Sequence, residues 1–183
     1  MRKILIVILA VIGFAGAANA QEFTVRFGPQ LTLAPGFSFA IDANVQGKEL
    51  AKFSSNISLG LNGNIILGFP GGGVSFLLSV GPTVNFEFDR AKGDAFFGLN
   101  FGVAGGGGGG SYFIFGFVSG VHYFVTPTIN LFTNLNLIVV PGIGGSLDLG
   151  ADFRVSRAIA IYGKLVIGFG GSFGLGGGLT FVF

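Results

Sequence analysis

Seven charged side chains sit on the polar positions of alternating segments: Arg26, Asp42, Glu87, Asp148, Asp152, Arg154 and Lys164. Three are cationic and four anionic, so most can pair. Two kinds of chemistry are open to such a set. Drawn into one interior, the charges must pair, because an unpaired charge away from water is costly. The result is a structural salt-bridge plug. Left wet, the same groups form a polar constriction that selects solutes. His122 is the sole histidine and the chain has no cysteine, which argues against a transition-metal site. Protease or acyl-transfer chemistry needs a histidine beside Asp or Ser, in a barrel at the outer rim. His122 falls at the other end of its segment. No catalytic residue, metal or cofactor is expected, and the chain is not read as an enzyme. The six glycines Gly105–Gly110 lack the Lys-Ser/Thr of a phosphate loop and open no helix. They read as a flexible outer loop or tight turn.

A second set shares the polar face but lies nearer the opposite end: Ile66, Leu77, Ala104, Ile114, Val118, Ile138, Val140 and Val166. Two readings stay open here as well. These side chains pack to close one end of the lumen, or they line an apolar pocket that admits a hydrophobic molecule.

The elements that must carry these residues are strands. In Phe37–Gln46 the odd positions Phe37, Phe39, Ile41, Ala43 and Val45 are apolar, and Ser38, Asp42, Asn44 and Gln46 alternate with them. That is the period-2 signature of a strand with two unlike faces. The same alternation marks Phe23–Leu33, Phe53–Phe69, Val74–Phe88, Ala95–Ala104, Tyr112–Phe124, Thr128–Val140, Ser146–Val155, Ala158–Gly168 and Phe173–Phe183. The parity shifts at the Pro70–Gly73 turn, so that Phe76, Leu78, Val80 and Phe86 are the apolar positions of Val74–Phe88. The expected fold is therefore all-β: a transmembrane up-and-down antiparallel β-barrel of ten strands, with eight as the alternative if two weak strands are loop.

The connections sort by side. Gly47–Lys52, Asp89–Asp94, Val125–Pro127 and Ser156–Arg157 hold most of the non-strand charge. Ala34–Gly36, Pro70–Gly73, Gly105–Ser111, Pro141–Gly145 and Gly170–Ser172 hold none. With both termini periplasmic, the charged set is periplasmic and the Gly/Pro set faces outside. A short, uncharged outer rim is poor equipment for a protease and exposes little for adhesion. Outward Phe residues near both ends of the strands, such as Phe37, Phe69, Phe113 and Phe173, or Phe23, Phe53, Phe88 and Phe183, read as two aromatic girdles.

Composition agrees. Mean hydropathy is +0.77, yet Gly and Asn interrupt every apolar run beyond Phe14. High apolar content in alternating form is what a transmembrane barrel requires. Residues 1–20 read as a cleaved signal: Arg2 and Lys3, an apolar run from Ile4 to Phe14, then the small-x-small site Ala18-Asn19-Ala20. Residues 21–183 then form one barrel domain. Without Arg2 and Lys3 that part carries eight basic and eight acidic residues, so nothing in its charge points to nucleic acid.

A signal ending Ala18-Asn19-Ala20, alternation throughout, and a terminal Leu179-Thr-Phe-Val-Phe183 together resemble the small bacterial outer-membrane β-barrel proteins of the OmpA/OmpX type. The resemblance implies export to the bacterial cell outer membrane. It also implies that the barrel-assembly machinery reads Leu179, Phe181 and Phe183. The partners expected are that machinery and outer-membrane lipid, with the folded barrel a monomer. Three functions compete. The first is a largely filled, salt-bridged barrel that is structural or a narrow passive pore. The second is a channel or binding protein for small hydrophobic solutes. The third and weakest is an outer-membrane enzyme.

Overall fold

The computed structural model describes residues 22–34, 37–70, 73–89, 92–106 and 109–183. Ten strands follow one another in these residues: β1 (Glu22–Ala34), β2 (Ser38–Lys52), β3 (Ile57–Pro70), β4 (Ser75–Asp89), β5 (Gly93–Gly106), β6 (Gly109–Thr126), β7 (Ile129–Val140), β8 (Gly144–Arg154), β9 (Ile159–Gly168) and β10 (Phe173–Val182). Each pairs antiparallel with the next, and β1 pairs with β10, so the sheet closes into an up-and-down barrel. The fold is the all-β antiparallel barrel that the alternation predicts, with ten strands rather than eight.

Closure follows from the chemistry of the two faces. An open sheet of these residues would leave unpaired N–H and C=O groups along an apolar edge. The seam β1–β10 removes that edge. Val25 opposes Phe181, Phe27 opposes Leu179, and Leu31 opposes Leu175. Phe183 completes the seam: its N–H donates to the Phe23 carbonyl at 2.8 Å, and the Phe23 N–H donates back at 3.1 Å.

The register keeps one set of alternate residues on each face around the barrel, the outward set being even-numbered in β4 and odd-numbered in the neighbouring β3 and β5. Outward side chains are apolar and many are exposed, among them Phe27, Leu78, Phe97, Leu131, Leu149, Ile161 and Leu175. That band would be intolerable in water over such an area and suits contact with hydrocarbon. Phe37, Phe69, Phe113 and Phe173 are exposed at one end, and Phe53, Phe88 and Phe183 at the other. Phe23 departs from the expected girdle. It is buried, its ring 6.4 Å from that of Phe183.

Two boundaries differ from those expected, and both bear on the interior. β2 runs through Gly47–Lys52 instead of ending at Gln46. Its pairing with β3 slips between Gly47 and Ala51, where Glu49 takes a positive φ of 59°. A bulge thus carries the strand through a charged stretch that reads as a turn. β5 begins at Gly93, so Asp94 is a strand residue. The glycine run also differs. Strands continue to Gly106 and resume at Gly109, and these two pair. Residues 1–20 and parts of the expected turns Ala34–Gly36, Pro70–Gly73 and Gly105–Ser111 lie outside the described residues. No helix among the described residues is long and apolar enough to cross a membrane.

Candidate functional site

The inward parity places polar and aromatic side chains in the lumen, and glycine gives them room. Phe96 opposes Gly120, Phe132 opposes Gly150, and Tyr162 opposes Gly178 on neighbouring strands. A Cβ at Gly120 would collide with the Phe96 ring, and one at Gly150 with the Phe132 ring. The Phe96 and Phe132 rings therefore cover strand positions that have no side chain, whereas a Cβ at Gly178 would meet the backbone of Phe27 and Gly28. Phe96, Phe132 and Tyr162 are all buried. The Phe132 and Tyr162 rings meet edge to face at 6.5 Å.

Two buried ionic clusters lie near these rings. Arg26 Nη2 donates to Asp152 Oδ2 at 2.8 Å, and its Nε donates to Asp152 Oδ1 at 3.3 Å. The fork matches the carboxylate with two bonds. The Arg26 guanidinium also lies 4.3 Å from the Phe132 ring centroid. Asp152 accepts further bonds from Thr180 Oγ1 at 2.7 Å and Asn130 Nδ2 at 3.1 Å. In the second cluster Lys164 Nζ donates to Asp42 Oδ2 at 2.5 Å and to Asp148 Oδ2 at 2.8 Å. Asn44, Asn62, Asn64, Asn134 and Asn136 share this level of the lumen, around a cavity of about 20 Å³. That leaves room for about one water molecule.

A third cluster lies toward the termini. Lys48 Nζ donates to Asp94 Oδ2 at 2.6 Å and stands 3.5 Å from Glu22 Oε1. His122 Nδ1 is 2.9 Å from Asp94 Oδ1. The carboxylate can only accept, so Nδ1 carries the hydrogen. Beyond this cluster the lumen widens into an open vestibule of about 670 Å³. Its lining includes Arg26, Gln46, Lys48, His122, Asp152, Arg154 and Arg157.

The structure thus brings together Arg26 with Asp152, and Asp42 with Asp148 and Lys164. One residue expected in the same network stands apart. Arg154 lies one inward position beyond Asp152, where the lumen opens to solvent. It is exposed and makes no ion pair among the described residues. Glu87 is half-buried at the rim, in the wall of a cavity of about 330 Å³ that it shares with Lys48, Glu49 and Asp94. Lys48 and Asp94 are site residues that sequence reasoning assigned to turns. Their parity was the available signal, since both share it with the inward residues of their strands. Gln46, Asn130 and Thr180 also face the lumen floor, and of these Gln46 is among the polar positions that the alternation of Phe37–Gln46 singles out.

The apolar set occupies the opposite end. Ile114 and Val118 are each 2 % exposed, Val166 is buried, and Ile66, Leu77 and Ile138 are half-buried. Val118 borders the 20 Å³ cavity. Ile114 and Val118 are thus shut off from solvent at this level of the lumen.

No protein-family model and no curated protein matches the chain. Solved structures do. The KdgM porin in complex with disordered oligogalacturonate matches at 7 % identity and a TM-score of 0.50, over 87 % of this chain and 98 % of that one. A de novo designed transmembrane β-barrel matches at 13 % identity and a TM-score of 0.49, over 88 % and 95 %. Neisserial surface protein A matches at 13 % identity and a TM-score of 0.37, over 87 % and 96 %. At these identities the likeness is one of fold alone, that of an outer-membrane-type β-barrel.

Proposed function

We propose that the chain is a monomeric barrel of the bacterial outer membrane whose lumen is closed, so that it serves as a structural membrane protein and not as an open pore. The observation that carries this reading is the Arg26–Asp152 pair seated on the Phe132 ring, with Lys164, Asp42 and Asp148 forming a second ionic level. A conducting lumen needs a continuous wet path. Here the aromatic rings and two paired clusters surround a cavity of about 20 Å³, room for about one water molecule.

The exposed apolar band supports residence in lipid. With the termini on the periplasmic side, the vestibule opens to the periplasm and the short uncharged turns face outward. Residues 1–20 act as the export signal in this reading. Leu179 and Phe181 point outward from the closing strand, paired with Phe27 and Val25, and Phe183 completes the seam. A machinery that reads these residues would hold β10 until β1 meets it. The OmpA/OmpX type of small barrel is the group this reading fits. The paired charges favour a filled lumen over a pocket for hydrophobic solutes, and no turnover is assigned to His122.

Liposome swelling tests the proposal. Vesicles containing the folded protein should hold small sugars as tightly as empty vesicles. Phe132→Ala combined with Tyr162→Ala should let them leak. Leakage through the unaltered protein would overturn the closed-lumen reading.

A further inference from the structure

Charge within the vestibule is unevenly matched. Its lining holds four cationic side chains, Arg26, Lys48, Arg154 and Arg157, against two anionic ones, Glu22 and Asp152. Pairing removes most of them. Arg26 is held by Asp152. Lys48 is shared between Asp94 and Glu22. Arg154 and Arg157 make no ion pair among the described residues, and both lie on one wall, at the end of β8 and in the turn to β9. Two uncompensated guanidinium groups therefore face a cavity of about 670 Å³. That volume falls within the range of sites for small molecules.

The floor adds a donor. Gln46 is 3 % exposed, borders the vestibule, and its Nε2 has no hydrogen-bond partner. A buried amide N–H without an acceptor is costly. His122 lies at the same floor. Its Nδ1 hydrogen is committed to Asp94, so it brings no negative charge. Two free guanidinium groups on the wall and an amide donor at the floor form a set that matches oxyanions, which accept bidentate bonds from arginine.

We infer that the vestibule is a binding site for small multivalent oxyanions, carboxylate or phosphate, entering from the side of the termini. Arg154 and Arg157 supply the charge and Gln46 a neutral donor at the base. The closed lumen below makes the site one-sided: an anion enters and leaves by the same mouth.

Isothermal titration of the folded protein in detergent micelles tests this, with citrate, inorganic phosphate and the neutral control glucose as probes. Saturable binding of citrate, phosphate or both is expected, weakening as salt is raised. The Arg154→Gln/Arg157→Gln double variant should bind about tenfold or more weakly, as befits the loss of charge-assisted bonds. Lys52→Gln, which removes a cation already paired with Glu49 outside the vestibule, should bind as the unaltered protein does. Binding of citrate alone assigns the site to carboxylates, and of phosphate alone to phosphates. The inference is overturned if neither anion binds saturably, if glucose binds equally well, or if the double variant keeps full affinity while still showing the heat-dependent gel mobility of a folded barrel. Binding is read in micelles and conduction in bilayers, so the failure of one reading does not hide the other.

Discussion

Arg26 and Asp152 lie 126 residues apart in sequence, yet their side chains meet at 2.8 Å inside the barrel. Arg26 comes from β1 and Asp152 from β8, so the bond reaches past β9 and β10. It ties the closing seam to the far wall. Removing one partner strands the other in a buried site. Asp152→Ala should therefore cost about 3–5 kcal/mol, read as a lower urea midpoint of the folded, heat-modifiable form. Replacing both partners, as in Arg26→Met/Asp152→Leu, should recover much of that loss. A double variant as unstable as Asp152→Ala would mean that the pair is not the source of the effect.

The Lys164 cluster makes the opposite case, one cation between two carboxylates. Lys164→Met leaves Asp42 and Asp148 facing each other without compensation. A loss of about 3–5 kcal/mol is expected. Adding Asp42→Asn and Asp148→Asn to Lys164→Met should restore part of it. No restoration would show that Lys164 acts through its alkyl packing.

Much of this was legible in the sequence, because a barrel strand writes its two faces as alternate residues. Leu131, Thr133 and Leu135 alternate with Phe132, Asn134 and Asn136, and they stand on opposite faces of β7 as that spacing requires. Lys48 and Asp94 were the harder residues. Charge in a stretch bounded by glycine reads as a solvated turn, and nothing local reveals that a bulge at Glu49 continues the strand. Pairing partners were less legible still. Which inward charge meets which depends on stagger between strands far apart in sequence, and alternation carries no such information. Arg154 was grouped with Asp152 on parity alone, though one more inward step carries it out of the buried lumen.

Glycine beneath the lumen rings gives a steric prediction. Gly150→Val places side-chain atoms where the Phe132 ring lies. The ring must move or the strand must shift, and overpacking of this kind costs about 1–3 kcal/mol. Thermal unfolding of Gly150→Val alone and combined with Phe132→Ala separates the two effects. The combination should be less damaging than the sum of the single changes. Strict additivity would contradict the contact.

The outer band predicts a depth dependence. Leu149 lies in the middle of β8 and is exposed, while Ile143 sits in the preceding turn and is 87 % exposed. In a bilayer, Leu149→Arg should cost about 2–4 kcal/mol and Ile143→Arg about 0–1. Equal costs at the two positions would argue that the band does not face hydrocarbon.

The central claim is a closed lumen, and single-channel recording in planar bilayers tests it most directly. Protein whose gel mobility confirms folding should produce no steady conductance steps, while Phe132→Ala/Tyr162→Ala should produce discrete ones by removing the rings that fill the space between the ionic clusters. Discrete, reproducible steps from the unaltered protein would contradict the account.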